Sequence, residues 1–387
     1  MNWIYLVYAA LAITLFWGVK GYGKGQWNEE CFSLKQIKMV QGFAAICILF
    51  HHMGQKTAAP WHQPTVIVHG LDGFINIGYF FVGIFLFCSG YGLFKSYKSK
   101  PDYLKGFVSK RIVPIVIAFY VSELIFLGAR VVMGEKMSVS QVIYYVTGLK
   151  LANYYAWYVI ALPFFYLFFY LAFRFCKKEG MAIAMTSLGI FTYILIGTIV
   201  DHNDWWMRGE WWYNTAHLFI LGLLFAKFEK PVITRIKKGY WIYIILAFVG
   251  IFLFYMFSLY AQSAWSYYGE TFNASDKVLR RWGCLFSQIL TSCSFVFFLF
   301  MVTMKIQIGN KLLAFFGGLT LEFYLIHGLF VELFGYSFLD ITKSLYYIRS
   351  VPLYVLVVVA CSVPATVLFK LLLKVISGKK IPKKSAD

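Results

Sequence analysis

The chain has 387 residues, of which 60% are hydrophobic and only 14% charged. A soluble globular protein carries about 25% charged residues, so the composition excludes water as the solvent for most of the surface. The net charge is +19, but the cations are dispersed over loops between apolar segments. That distribution suits anionic lipid headgroups and does not indicate nucleic-acid binding. The sequence predicts an all-α, polytopic transmembrane helical bundle in a lipid bilayer.

Eleven apolar stretches reach the length of about 20 residues that a helix needs to cross a bilayer. The first resembles a signal peptide in length, but no basic region precedes it and no small-residue cleavage site follows, so we interpret it as a retained helix. The predicted spans are 3–20, 36–54, 72–97, 111–133, 154–175, 181–200, 211–228, 240–261, 283–304, 312–335 and 351–376.

Lysine and arginine accumulate on the cytoplasmic side of membrane proteins. Placing the basic tail 377–387 inside also places most of the 36 lysines and arginines inside. With eleven spans, the N-terminus is then outside. The sequence thus predicts a multi-pass protein of the cell membrane. An extra N-terminal helix and loop (1–35) precedes one membrane domain (36–376), and the tail is cytoplasmic.

The second span carries a stripe of polar residues. At about 100° per residue, Lys38, Gln41 and His52 fall on nearly the same face, whereas His51 points about 100° away. Imidazole takes and returns a proton near neutral pH, so His52 is a candidate general base that activates a hydroxyl group. The alternative is an interfacial histidine that hydrogen-bonds a neighbouring helix or lipid headgroups.

A basic segment follows the third span. Lys110 and Arg111 lie where that segment enters the fourth span, and their side chains could bind phosphates through charge-assisted hydrogen bonds. The alternative is that they only anchor the helix on the cytoplasmic side, as lysine and arginine do in many membrane proteins.

The loop after the sixth span combines acidic and aromatic residues, including Asp201, Asp204 and Trp205. Aromatic rings stack on the C–H faces of sugars and carboxylates accept hydroxyl protons, which suits a carbohydrate acceptor. The alternative for the rings is the tryptophan and tyrosine belt of membrane proteins, although the carboxylates have no place in such a belt.

Glu322 and His327 fall near the middle of the tenth predicted span. An ionisable group within a membrane raises the free energy of insertion, and such groups usually have a binding partner or a functional role. We therefore expect both residues to face the interior of the bundle. A catalytic role and a structural hydrogen bond remain equally open for them.

The seven cysteines are scattered singly and form no C-x-x-C motif. They are typical of small apolar core residues rather than of a disulfide framework or a zinc site. The sequence therefore predicts no metal cofactor.

Five segments, in this order, resemble the membrane-bound acyltransferase type 3 family, which transfers acyl groups to extracytoplasmic glycans, lipids or other small acceptors. No single motif is specific to this family, but the occurrence of all five in this order across residues 36–376 is specific. The segments are Gln41-Gly42-Phe43-Ala44-Ala45 through His52, Tyr79-Phe80-Phe81 with Ser89-Gly90-Tyr91, Tyr103-Leu104-Lys105 to Arg111-Ile112-Val113-Pro114, Trp157-Tyr158-Val159-Ile160-Ala161-Leu162, and Glu322-Phe323-Tyr324-Leu325-Ile326-His327.

The resemblance implies a ten-helix core in spans two to eleven and an acyl-CoA donor, foremost acetyl-CoA, bound from the cytoplasm. The acceptor it implies is a hydroxyl group of a glycan or another cell-envelope component. The resemblance implies that His52 acts as base or transient acyl carrier, with His51 as the second choice, and that Gln41 and Lys38 orient His52 or the donor. It also implies that Lys110 and Arg111 lie near the donor phosphates and that Glu322 and His327 support the site. The residues implied to receive the acceptor are Trp157, Asp201, Asp204 and Trp205.

The chain departs from the family pattern at two positions. Gln41 stands where the family usually has arginine or lysine, and Val108 occupies the first place of its Arg-x-x-Arg pair. Lys38 and Lys110 are the candidates to supply the missing charges. Because the usual first-helix cation is absent, the rival hypothesis is a glycan exporter or transport partner without acyl transfer.

Overall fold

A computed structural model describes residues 3–202, 207–265, 276–336 and 346–378. This part of the chain is an all-α bundle whose helices are α1 (Leu6–Phe16), α2 (Leu34–Thr57), α3 (Gly78–Ser99), α4 (Val113–Val132), α5 (Val139–Thr147), α6 (Trp157–Phe175), α7 (Glu179–Ile199), α8 (His217–Lys238), α9 (Tyr240–Ala264), α10 (Lys277–Thr303), α11 (Lys311–Gly317), α12 (Thr320–Phe334) and α13 (Val351–Ile376). Two-residue strands, β1 (Lys20–Gly21) and β2 (Ile306–Gln307), pair antiparallel.

The predicted polytopic bundle is confirmed, but the number of spans differs from eleven. The described residues contain eight helices that are long and apolar enough to cross a membrane, or nine if α11 and α12 form one bent span. Helix α8 is not among these eight, because the charged residues of its second half lower its hydropathy. The helix is also kinked at Phe228. The predicted span at 211–228 corresponds to a short 3₁₀ turn and only the first half of that helix.

The helix found at the first predicted span, 3–20, is shorter than predicted. α1 has 11 residues, which extend about 16 Å, roughly half of a bilayer core. Its segment still runs along the bundle: Ile4 packs against Gly70 at one end, and Asn310 donates hydrogen bonds to the carbonyls of Thr14 and Trp17 at the other.

The tenth predicted span, 312–335, is wrong as a single helix. α11 and α12 meet at an angle of 87°, and the chain turns at Gly318 and Leu319 between them. α11 packs against α2, where a Cβ on Gly42 would lie 2.2 Å from the carbonyl oxygen of Leu313. The break directs α12 along α2.

Helix α2 lies at the centre, since most of its side chains are buried against α3, α11 and α12. Helix α9 lies at the periphery, where it packs on α10 and exposes large apolar side chains such as Trp241, Phe248 and Phe252. An apolar outer surface around a buried central helix is the arrangement expected of a bundle surrounded by lipid.

Candidate active site

A cavity of about 710 Å³ lies between α2, α3, α4, α6 and α12. This volume is within the range of about 300–1,000 Å³ typical of small-molecule sites. Its lining residues are Phe32, Leu34, Ile37, Lys38, Gln41, Phe85, Cys88, Ser89, Tyr91, Gly92, Leu93, Lys95, Ser96, Lys100, Tyr103, Arg111, Ile115, Tyr158, Leu162, Tyr166, Thr320, Leu321 and Tyr324.

Positive charge surrounds the outer part of this cavity. We define the cation rim as Lys95, Lys100 and Arg111, to which Lys38 adds a fourth, partly buried cation. None of the lining residues, all in the described part of the chain, is acidic. Glu229 neutralises Lys95 from outside the cavity at 2.9 Å. The remaining excess of positive charge favours an anionic ligand.

The other end of the cavity is closed by aromatic side chains, which we call the aromatic wall: Phe85, Tyr158 and Tyr324. The rings of Tyr158 and Tyr324 pack edge to face with centroids 5.4 Å apart, and Phe85 lies 6.1 Å from Tyr158. Phe85 precedes Lys95 by ten residues on α3, which is about 15 Å along the helix axis, so the aromatic wall is separated from this part of the cation rim.

Two histidines form a hydrogen-bonded pair beyond this wall. His52 Nδ1 lies 2.7 Å from His327 Nε2, and both residues are buried. The ring of Tyr324 lies 6.0 Å from that of His327. His52 and His327 do not line the cavity, whereas Tyr324 lines it and also packs against His327.

The proton positions in the pair follow from a backbone carbonyl. His327 Nδ1 lies 2.7 Å from the carbonyl oxygen of Phe323, and since that oxygen only accepts, Nδ1–H must donate. In the neutral ring Nε2 then carries the lone pair and accepts the Nδ1–H of His52. This leaves the lone pair of His52 on Nε2, which is the form that a general base requires.

His51 has a different environment. Its Nδ1–H donates to the carbonyl oxygen of Phe74 at 2.7 Å, and its ring packs so closely on Gly78 that a Cβ there would lie 2.3 Å away. These contacts connect α2 to the start of α3. His51 is thus held as a link between two helices.

A second polar cluster supports His52 from the side away from the cavity. The ring of Tyr155 packs on the His52 ring with centroids 4.4 Å apart, and its hydroxyl donates to Glu332 Oε1 at 2.7 Å. Glu332 also forms an ion pair with Lys56 at 2.8 Å. Sequence reasoning missed all three residues, although Glu332 is an ionisable residue inside a predicted span.

A buried carboxylate fixes the loop that carries Tyr155. Glu123 of α4 is 2% exposed and accepts hydrogen bonds from the backbone N–H groups of Ala152 and Asn153, at 2.7 and 3.2 Å. The Asn153 side chain then donates to the carbonyl of Leu325 in α12 at 2.9 Å. These contacts join α4, the loop before α6 and α12 directly beside the histidine pair.

The predicted donor residues separate into two groups. Lys38, Gln41 and Arg111 line the cavity, and the guanidinium of Arg111 lies 5.7 Å from the centre of the Tyr103 ring. Lys110 is exposed and does not line it. The structure therefore brings Arg111, rather than its neighbour, together with the two α2 residues.

Glu322 lies directly after the break between α11 and α12, and not within one continuous helix as the sequence predicted. It occupies the first turn of α12, where a negative charge interacts favourably with the helix dipole, and its carboxylate lies 4.0 Å from Lys370. The bend before α12 accounts for the difference. His327 does face the interior of the bundle.

The predicted acceptor residues are dispersed. The Trp157 indole is buried and packs on Trp212 with centroids 6.4 Å apart. Asp201 is exposed, and a hydrogen bond from Lys277 holds the pKa of its carboxyl below the usual value. Asp204 and Trp205 lie outside the described residues.

Comparison with known proteins assigns the chain to a family. The chain matches no curated protein and no solved structure. A family model described as an acyltransferase domain matches residues 34–371, which is nearly the whole chain and includes the aromatic wall, the histidine pair and every lining residue of the cavity except Phe32. The chain therefore belongs to the acyltransferase 3 family of multi-pass membrane proteins.

Proposed function

We propose that this membrane acyltransferase moves an acyl group, acetyl or a similar one, from cytoplasmic acyl-CoA to a hydroxyl group of an extracytoplasmic glycan or another cell-envelope acceptor. The observation that carries the proposal is the Phe323–His327–His52 hydrogen-bond chain. It leaves His52 Nε2 unprotonated in the interior of a family member whose reaction needs a base.

The cavity supports acyl-CoA as the donor. Its cation rim suits the phosphates of a nucleotide, because charge-assisted hydrogen bonds to phosphate are among the strong ones. Its aromatic wall suits an acyl group. The polar residues Lys38 and Gln41 line the same cavity, where they can orient the pantetheine arm or the thioester.

The bonds and protons of the reaction balance with His52, the donor and the acceptor. His52 Nε2 takes the proton of the acceptor hydroxyl while the hydroxyl oxygen attacks the thioester carbonyl carbon. The carbon–sulfur bond breaks, and the thiolate of CoA recovers the proton from His52. His327 keeps His52 in the reactive tautomer throughout.

Replacing His52 tests the proposal. Purified protein is incubated with radiolabelled acetyl-CoA and a cell-envelope extract, and transfer is compared between wild type, His52→Ala and His69→Ala. We expect the first variant to lose transfer by about 10²–10⁴-fold, the usual contribution of a general base. His69 is an exposed histidine paired with Asp72, so its variant should keep the wild-type rate.

Two results would contradict the proposal. A wild-type protein that neither transfers nor hydrolyses any common acyl-CoA would favour the carrier hypothesis. A His52→Ala variant with the wild-type rate would exclude His52 as the base.

A further inference from the structure

Tyr324 lies between the donor cavity and the histidine pair. Its ring forms part of the aromatic wall, and it precedes His327 by three residues on α12, so the two side chains share a helix face. Tyr324 therefore both lines the cavity and packs against the His327 ring, at a centroid distance of 6.0 Å.

The Tyr324 hydroxyl is buried without a hydrogen-bond partner among the described residues, and the residue is only 3% exposed. A buried hydroxyl in this condition is destabilising, because it has lost its hydrogen bonds to water without gaining others. Phenylalanine would fill the same space without that cost. An unpaired buried donor beside a reaction site calls for a functional explanation.

We infer that Tyr324 is a further catalytic residue, whose hydroxyl donates a hydrogen bond to the acyl carbonyl oxygen as negative charge develops there. This inference rests on the proposed function. The phenol keeps its proton: the acceptor oxygen forms the new bond to carbon, the carbon–sulfur bond breaks, and His52 carries the only proton that moves. Fixed donors aimed at a developing oxyanion commonly contribute about 10²–10³-fold to a rate.

The test compares Tyr324→Phe with Tyr240→Phe. Tyr240 is a buried tyrosine away from the cavity, and its hydroxyl donates to the carbonyl oxygen of Met301 at 3.0 Å. For Tyr324→Phe we expect kcat to fall about 100-fold with KM for acetyl-CoA unchanged and the melting temperature equal or higher. For Tyr240→Phe we expect the melting temperature to fall, because a paired hydroxyl is lost, and kcat to stay at the wild-type value.

The outcomes separate this inference from the proposed function. If Tyr324→Phe keeps the wild-type kcat while His52→Ala is inactive, only the role of Tyr324 is refuted. If Tyr324→Phe melts at a lower temperature, its hydroxyl is a structural group and the inference is also wrong. If wild type transfers no acyl group, the proposed function itself fails.

Discussion

At the scale of single residues, one backbone carbonyl determines where a proton resides. The Phe323 oxygen fixes Nδ1–H on His327, and His327 in turn fixes Nδ1–H on His52. A change that removes the acceptor from position 327 leaves His52 free to adopt the other tautomer, in which Nε2 is protonated and cannot act as a base.

We therefore expect His327→Leu to lower kcat by at least about 100-fold, within the range of a misoriented catalytic base. His327→Gln should retain more activity, since the amide oxygen can accept from His52 Nδ1–H while the amide nitrogen donates to Phe323. The kcat values of both variants are measured from steady-state acyl transfer. Equal losses in the two variants would mean that His327 acts through packing and not through the tautomer.

The sequence predicted part of this cluster. His52 and His327 were both identified, because polar groups within apolar spans need a partner. Their direct hydrogen bond joins residues 275 positions apart, so only the packing of α12 on α2 could reveal it. Glu123 and Glu332 carried the same signal within predicted spans, and applying the rule to every ionisable residue would have found them.

At the scale of helices, glycines set how closely the central elements approach. A Cβ on Gly90 of α3 would lie 2.1 Å from the carbonyl oxygen of Phe219 in α8, whereas a Cβ on Gly92 would meet nothing within 4 Å. Small residues permit this backbone approach in membrane bundles. The contact holds α3, which supplies much of the cavity, in place.

Gly90→Ala should consequently destabilise the protein by about 1–3 kcal/mol through overpacking against backbone. Gly92→Ala is the matched control and should be neutral or stabilising by up to about 1 kcal/mol, because alanine favours the helix. Thermal unfolding in detergent measures the difference. A Gly90→Ala protein as stable as Gly92→Ala would show that α3 and α8 can separate without loss.

Helix boundaries illustrate a limit of sequence reasoning. Apolar length located α13 with the predicted bounds, and the helix continues through Pro364 without a break. The same criterion failed for α11 and α12, since hydropathy does not register an 87° bend. Gly317 and Gly318 mark the break in the sequence, and a Cβ on Gly317 would lie 2.1 Å from the Lys38 carbonyl oxygen. That long-range contact makes glycine necessary there.

At the scale of the whole molecule, α2 connects the two ends of the site. Lys38 contributes to the cavity, and Lys56 pairs with Glu332 near the histidines. The two residues are 18 positions apart, which corresponds to about 27 Å along the helix, close to the thickness of about 30 Å of a bilayer core. The cavity and the Lys56 end are thus separated along α2 by nearly the thickness of a bilayer core.

This arrangement predicts a sided reaction. Acetyl-CoA does not cross lipid, so inverted membrane vesicles, with the cation rim facing the medium, should transfer label from added acetyl-CoA to an acceptor enclosed in the lumen. Right-side-out vesicles should transfer none until they are permeabilised. Vesicles carrying His52→Ala control for uncatalysed labelling. Equal transfer by intact vesicles of both orientations would mean that donor and acceptor use the same face, and that the path through the aromatic wall is not the route of the acyl group.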